Sequence, residues 1–168
     1  MDHPTTIGDK GLVLAVCTSE KKGTRKRDVR QAELRPDWGI VGDAHAADWH
    51  RQVSLLAWES IEKMRALGLN VGAGSFAENI TTKGLELVAL PIGTRLRLGA
   101  ALVEVTQIGK VCHDRCAIYY QAGDCVMPRE GIFVRVCEGG QVQAGDTIEV
   151  VSLPPASPDG SEGTATTP

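Results

Sequence analysis

The stretch TRLRLGAALVEVTQI, residues 94–108, decides the fold. Thr94 to Leu98 alternates polar and apolar side chains, and Gly99-Ala100 then offers a turn. Ala101 to Ile108 follows and is rich in aliphatic and β-branched residues. Alternation with a period of two on both sides of a short glycine turn is typical of a β-hairpin. The stretch therefore predicts two antiparallel strands.

Further strand signals lie on both sides of this hairpin. Four segments are short and rich in aliphatic residues: Leu12–Thr18, Gln52–Ala57, Ile132–Cys137 and Thr147–Val151. In the second segment the alternation places Val53, Leu55 and Ala57 on one face. Many short strands separated by glycine turns, such as Gly139-Gly140, predict a β-barrel or a β-sandwich.

Two helices are expected to interrupt the strands. Trp58 to Leu67 has Ile61 and Met64 at helical spacing, and Gly68 is a suitable end. The second predicted helix begins near Cys112 or His113 and ends near Gly123. The predicted fold class is therefore mainly β, a barrel with a few flanking α-helices.

The length and composition indicate one domain with two peripheral segments. A chain of 168 residues suits one domain. Residues 1–10 form an N-terminal extension, and the folded domain is expected to span 11–151. Residues 152–168 are mostly Pro, Ser, Thr and Gly, so they cannot bury enough apolar surface to offset the entropy of ordering. We predict that they form a disordered tail.

The charge and hydropathy patterns exclude some functions. The net charge is −3, so the bulk charge argues against a polyanion such as nucleic acid as partner and leaves open a local basic patch. No apolar run has the length of a membrane span, and the polar N-terminus lacks the apolar core of a secretory signal. We therefore expect a cytoplasmic protein. Because only seven residues are Phe, Trp or Tyr, the core is expected to be mainly aliphatic.

The loop Gly42–Arg51 concentrates polar side chains just before a predicted strand. It holds His45, His50 and Arg51 together with two aspartates. It could present imidazoles and a guanidinium at the mouth of a site. It could equally be a polar loop whose side chains satisfy local backbone groups.

The segment Gly109–Cys116 is a sharper candidate. A cysteine at a helix N-terminus meets unpaired N–H groups and the positive end of the helix dipole, which favour the thiolate. Lys110, His113 and Arg115 would add to this effect at Cys112. A thiolate suits a sulfur carrier or a ligand for a soft metal. The alternative is that Cys112 is a small buried hydrophobic residue.

A third candidate segment follows the second predicted helix. Cys125 lies in a loop, and Arg129 could reach a phosphate. The alternative is a structural turn with a solvated charge pair. Cys112 and Cys116 could also begin a zinc site, but structural zinc sites usually show two closely spaced ligand pairs and here only one exists.

Several of these strings, in this order along the chain, resemble small bacterial MOSC proteins, named after the C-terminal domain of molybdenum cofactor sulfurases. The resemblance covers roughly residues 11–151. The strings are Gly42–Ala46, Trp49–Leu56, Phe76–Thr82, Leu102–Lys110, Cys112-His113, Cys116–Tyr119 and Met127–Phe133.

The resemblance implies a β-barrel that contacts molybdenum cofactor (molybdopterin). It implies Cys112 as sulfur carrier or molybdenum ligand. From the residues themselves, His113 beside it is the second catalytic candidate, and Cys125 is the alternative metal ligand because its loop is expected to be exposed. We expect the loop Gly42–Arg51 to share a cleft with Glu78-Asn79. The candidate cofactor-binding residues are His45, His50, Arg51, Glu78, Asn79, Lys110, Arg115 and Arg129.

The implied function is cofactor maturation or delivery through a cysteine persulfide or a cysteine-bound metal. Partners would be cofactor biosynthesis proteins or molybdoenzymes. One alternative is a cofactor-dependent reductase of N-hydroxylated compounds, which would need a separate electron donor. Others are a non-catalytic cofactor carrier and a zinc-stabilised module. No segment resembles the aminotransferase-like domain of full-length sulfurases, so we expect no pyridoxal phosphate site.

Overall fold

The computed structural model describes residues 9–109 and 127–155. These ranges contain eleven strands. The strands are β1 Lys10–Thr18, β2 Arg27–Asp28, β3 Gln31–Arg35, β4 Gly39–Ile40, β5 Val53–Ala57, β6 Ile80–Lys83, β7 Arg95–Leu98, β8 Ala101–Ile108, β9 Ile132–Glu138, β10 Gly140–Gln143 and β11 Thr147–Ser152.

Seven of the strands close into a barrel. The order is β11-β7-β8-β9-β5-β6-β1, and β11 also pairs with β1, where Lys10 lies opposite Glu149. Strand β2 pairs antiparallel with the end of β1. Strands β10, β3 and β4 form a small second sheet. The predicted β-barrel is confirmed, as is its central hairpin, in which Leu98 pairs with Ala101.

Strand β5 has a parallel neighbour, β6, in an otherwise antiparallel barrel. A parallel pair needs a crossover connection, and α1, Trp58–Ala66, lies in it. All five residues of β5 are buried. Val53, Leu55 and Ala57 belong to the barrel core, as the alternation predicts, whereas Leu56 packs outward with the α1 residues that the helical spacing indicated.

The barrel core is made of aliphatic side chains. It consists of Val, Leu, Ile and Ala residues from the strands and their connections, among the residues the structure describes. Phe76 and Phe133 instead belong to a second cluster between α1 and the outer face of the barrel. The expected aliphatic core is confirmed among the described residues, where Phe76 and Phe133 pack outside the barrel.

Other helical elements in the described ranges are short: a 3₁₀ turn at Leu87–Ala89 and a helical turn at Met127–Glu130. The predicted helix from residue 112 to 123 lies outside the described residues. Strand β11 ends at Ser152, one residue beyond the predicted domain boundary. Within the described ranges, no helix has the length and apolarity needed to cross a membrane.

Candidate functional site

The loop Gly42–Arg51 is held in place by the buried carboxylate of Asp43. This carboxylate accepts hydrogen bonds from the backbone N–H groups of Ser19 (3.1 Å) and His45 (3.0 Å). The loop is also tied to itself, because the indole N–H of Trp49 donates to the His45 carbonyl oxygen at 2.9 Å. These bonds hold the part of the loop around His45 against Ser19, which follows β1.

A buried lysine stands behind this loop. The ammonium of Lys26 donates to Asp43 Oδ1 at 2.8 Å, to Ser19 Oγ at 3.0 Å and to His45 Nδ1 at 3.0 Å. The side chains of Lys26 and Asp43 are both 0% exposed. A buried charge needs a partner, and each of these two charges provides the partner of the other.

The electrostatic state of Asp43 follows from these contacts. Burial by itself would raise its pKa. The hydrogen bonds that it accepts from the Lys26 ammonium and the His45 backbone N–H, together with the Lys26 charge, outweigh burial and hold the pKa well below its usual range. Asp43 is therefore a carboxylate at any physiological pH.

Arg51 ends the loop with its guanidinium stacked on two aromatic rings. Its Cζ atom lies 4.6 Å from the ring centroid of Trp49 and 5.6 Å from that of Phe133. These are cation–π distances. The Nε atom is buried and has no hydrogen-bond partner among the described residues. A guanidinium held this way keeps an unused donor, which is what an anionic ligand requires.

The loop and the segment before β6 line one small cavity of about 70 Å³. The expectation that these two segments share a cleft agrees with this arrangement for three of its residues. His45 and Arg51 come from the loop and Asn79 from the segment before β6. Ser54 of β5 and Phe133 of β9 complete this side of the lining.

Asn79 joins three strands of the barrel beneath this cavity. Its Oδ1 accepts from the Ser54 backbone N–H at 3.0 Å, and its Nδ2 donates to the Cys17 carbonyl oxygen at 3.1 Å. Its own backbone N–H donates to Ser54 Oγ at 3.0 Å. The side chain is 1% exposed. Its polar atoms thus hold the wall of the cavity together, and its predicted contact with a cofactor stays a prediction.

Glu78, a predicted ligand of the cofactor, is not in the cavity lining. Its carboxylate is fully buried and accepts hydrogen bonds from the Gly74 N–H (2.7 Å), the Thr81 hydroxyl (2.8 Å) and the Phe76 N–H (3.1 Å). Burial raises the pKa of Glu78 although these donors oppose the shift. Glu78 organises the turn before β6, and this turn also holds Lys26, whose N–H donates to the Gly74 carbonyl at 2.8 Å.

A basic groove, which the sequence alone did not locate, lies beside the cavity. Five of the seven residues from Lys21 to Arg27 are Lys or Arg, and a groove of about 700 Å³ runs along them. Lys21, Arg25, Lys26 and Arg27 line it, together with Glu20. Lys26 also contacts His45 of the cavity, so the groove and the cavity adjoin. The charge run was the available sequence signal, but the net negative charge of the chain concealed it.

The family of the protein follows from the segment that builds this site. The family model of the MOSC domain matches residues 42–149, which begin with the cavity loop and include strands β5 to β10. This chain belongs to the MOSC domain family. No curated protein gives a match to the sequence.

Solved structures share the architecture of this MOSC domain. The YuaD protein from Bacillus subtilis is 17% identical, with a TM-score of 0.69 over 84% of this chain and 95% of that one. YiiM from Escherichia coli is 22% identical, with a TM-score of 0.61 over 85% and 70%. YiiM from Geobacillus stearothermophilus is 18% identical, with a TM-score of 0.58 over 84% and 73%. At these identities the likeness concerns the fold.

The two remaining described candidates of the MOSC domain lie outside the cavity lining. His50 is exposed, and its Nε2 lies 2.9 Å from Gln107 Oε1 at the end of β8. Arg129 is exposed on the turn Met127–Glu130. The neighbouring Glu130 carboxylate accepts from Lys63 Nζ of α1 at 2.8 Å. The predicted cofactor contacts of His50 and Arg129 stay predictions.

Five other candidates lie outside the described residues: Lys110, Cys112, His113, Arg115 and Cys125. The predictions made for them therefore remain predictions. Among the residues of the MOSC domain that the structure describes, no group of three or more His, Cys, Asp or Glu side chains could hold a metal ion. The described cysteines are the buried Cys17 and the half-buried Cys137.

Proposed function

We propose that this MOSC domain binds molybdenum cofactor through the anionic groups of molybdopterin and serves in the maturation or delivery of the cofactor. Cys112 would be its sulfur carrier or molybdenum ligand. The MOSC family is associated with this cofactor. The observation that carries the proposal is the Arg51 guanidinium, which lies over two aromatic rings, has a buried and unused Nε donor, and lines the same cavity as His45.

The donor set fits the chemistry of the ligand. Molybdopterin carries a phosphate and a dithiolene, both of which are anionic. A guanidinium forms strong, directional hydrogen bonds to such groups. The rings of Trp49 and Phe133 limit the movement of the Arg51 guanidinium, so less conformational entropy is lost on binding. When bound, the cofactor would supply the redox and sulfur chemistry of molybdenum, and the chain would supply anchoring and orientation.

The two openings differ in size and suggest how the ligand would be divided between them. A cavity of about 70 Å³ admits only a small terminal group. The adjoining groove has a volume of about 700 Å³, within the range of ligand-binding pockets. An anionic end group would bind beside Arg51 and His45, and the rest of the molecule would extend along the basic residues of the groove.

The position of Cys112 in the sequence, shortly after β8, supports a role for it at this site. The Gly109 N–H donates to the Gly131 carbonyl at 2.6 Å, which fixes the end of β8. Gln107, two residues earlier, contacts His50 of the cavity loop. Cys112 follows Gly109 by three residues in the sequence. As a sulfur carrier, the Cys112 thiolate would attack the outer sulfur of a cysteine persulfide on a donor protein and release the thiolate of the donor, which leaves a persulfide on Cys112.

The test is metal and pterin analysis of the protein purified without oxygen. Wild-type protein should contain pterin and molybdenum. Arg51→Gln should lower the pterin content at least tenfold, because it removes the guanidinium at the cavity. Arg65→Gln is the matched control, since the Arg65 guanidinium also lies over a ring, that of Trp58 at 5.7 Å, but belongs to α1. The control should retain wild-type content.

The contrary results are equally definite. Wild-type protein without pterin, even after incubation with cofactor released from a molybdoenzyme, would refute the proposal. Equal pterin content in both arginine variants would remove Arg51 from the binding site. Zinc found in place of molybdenum would support the zinc-stabilised module instead.

A further inference from the structure

The hydrogen bonds around Lys26 determine which nitrogen of His45 carries the proton. The ammonium has three N–H donors and three acceptors at bonding distance: Asp43 Oδ1, Ser19 Oγ and His45 Nδ1. An ammonium cannot accept a hydrogen bond. At 3.0 Å, His45 Nδ1 must therefore be the acceptor, so the proton of the neutral ring lies on Nε2.

The competing arrangement would place the proton on Nδ1 and direct it at Asp43. The distance from His45 Nδ1 to Asp43 Oδ2 is 3.8 Å, which is too long for a hydrogen bond. Oδ2 already accepts the His45 backbone N–H at 3.0 Å. Asp43 therefore positions the Lys26 ammonium and the loop backbone, and Lys26 sets the imidazole.

We infer that Lys26 and Asp43 preset His45 as a hydrogen-bond donor, so that the cavity accepts an oxyanion and rejects a metal cation. His45 lines the cavity, and its Nε2 has no hydrogen-bond partner among the described residues. Arg51 adds the donor that was described above. This inference rests on the proposed function in one respect, which is that both concern the same cavity.

The ligand class follows from the donor arrangement. A metal ion would need a lone pair on Nε2, but that atom carries the proton in this tautomer. An oxyanion such as a phosphate monoester would receive the Nε2–H of His45 and the Nε–H of Arg51. Lys26 is thus a positioning residue. It acts through His45, and its own three donors are already used.

The first test uses the wild-type full-length chain and needs no variant. Long-range ¹H–¹⁵N correlation spectra of the histidine rings distinguish the two neutral tautomers, and His45→Gln assigns the signals. We expect the Nε2–H tautomer at neutral pH. Observation of the Nδ1–H tautomer, or of an even mixture, would overturn the inference.

The second test is titration with two probes followed in the same spectra. Inorganic phosphate should shift the His45 ring and Arg51 Nε signals together, whereas Zn²⁺ should leave the His45 ring signals unchanged. Lys26→Met should weaken phosphate binding at least tenfold and produce a mixture of tautomers. Lys63→Met is the matched control, because Lys63 pairs with Glu130 away from the cavity, and it should behave as wild type.

Each remaining outcome also decides. Zn²⁺ coordination at His45, or an unchanged tautomer and phosphate affinity in Lys26→Met, would overturn the inference. If Lys26→Met does not fold, the wild-type tautomer and the phosphate titration decide alone. If the tautomer and phosphate binding are as expected but no pterin or molybdenum is ever found, the proposed function fails and the oxyanion site stands.

Discussion

The ion pair between Lys26 and Asp43 allows a quantitative prediction of stability. Both side chains are fully buried and the Nζ–Oδ1 distance is 2.8 Å. Removing one partner of such a pair leaves an uncompensated buried charge and costs about 3–5 kcal/mol of unfolding free energy. At about 3 °C per kcal/mol for a domain of this size, each single variant should lower Tm by about 10–15 °C.

The two single variants should differ in a direction that the contacts define. In Lys26→Met the carboxylate keeps the backbone N–H bonds from Ser19 and His45, so its cost should lie near about 3 kcal/mol. In Asp43→Asn the ammonium loses its counter-charge, and the new amide N–H₂ faces a donor. Its cost should lie near about 5 kcal/mol.

Urea denaturation of both single variants and the double variant closes the cycle. Because the double variant lacks both charges of this pair and leaves neither unpaired, it should lose at least about 2 kcal/mol less than the sum of the singles. A double variant whose loss equals that sum would refute the reasoning. The pKa of Asp43 is lowered in the fold. Its stabilisation should therefore be present above the ordinary carboxyl pKa of 3.8 and be lost as the pH falls below it.

Three further predictions concern Gly74, Glu78 and the cysteines. Gly74→Ala should be strongly destabilising in thermal unfolding, because the new Cβ would lie 2.2 Å from a backbone oxygen and Gly74 has a φ of +83°. Gly72→Ala is the control and should be nearly neutral, because no atom lies within 4 Å of a Cβ at Gly72. Burial raises the pKa of Glu78. The unfolding free energy of the wild type should therefore fall relative to that of Glu78→Gln as the pH rises above 4.5. A difference between the two proteins that does not change with pH would contradict this prediction. Burial raises the pKa of Cys17 to about 12, so mass-spectrometric mapping at neutral pH should find Cys17 among the slowest cysteines to be alkylated and Cys112 the fastest. Cys112→Ser should keep the fold and lose molybdenum or persulfide. Slow alkylation of Cys112 would exclude a reactive thiolate at that position.

The barrel was predictable where strands are long and one-sidedly apolar. Such strands face the core with every second residue, and their alternation is visible in the sequence. The short strands were missed because they lack this signal. Strand β3, Gln31–Arg35, buries only Leu34, and β4, Gly39–Ile40, has two residues. Strand β3 pairs with β10, which is distant in sequence, and β4 in turn pairs with β3.

The candidate site was predictable as a loop but not as a network. The concentration of polar residues from Gly42 to Arg51 indicated where a site could lie. Nothing in the local sequence separates Lys26, which is buried, from its exposed basic neighbours. Likewise Glu78 and Asn79 are adjacent and polar, yet one serves the interior and the other lines the cavity. Burial and partner choice are tertiary properties, which one sequence does not display.

The seam between β1 and β11 has a consequence for protein architecture. Because Lys10 and Glu149 are paired neighbours, the first and last strands of the barrel chain enter and leave the barrel side by side. A short linker could join these ends, and the chain could be opened at the surface turn between β7 and β8. The resulting circular permutant would retain every strand pairing and lack only the covalent connection at that turn. For the same reason the barrel could be inserted into a surface loop of another protein, whose two cut ends would meet it at one point.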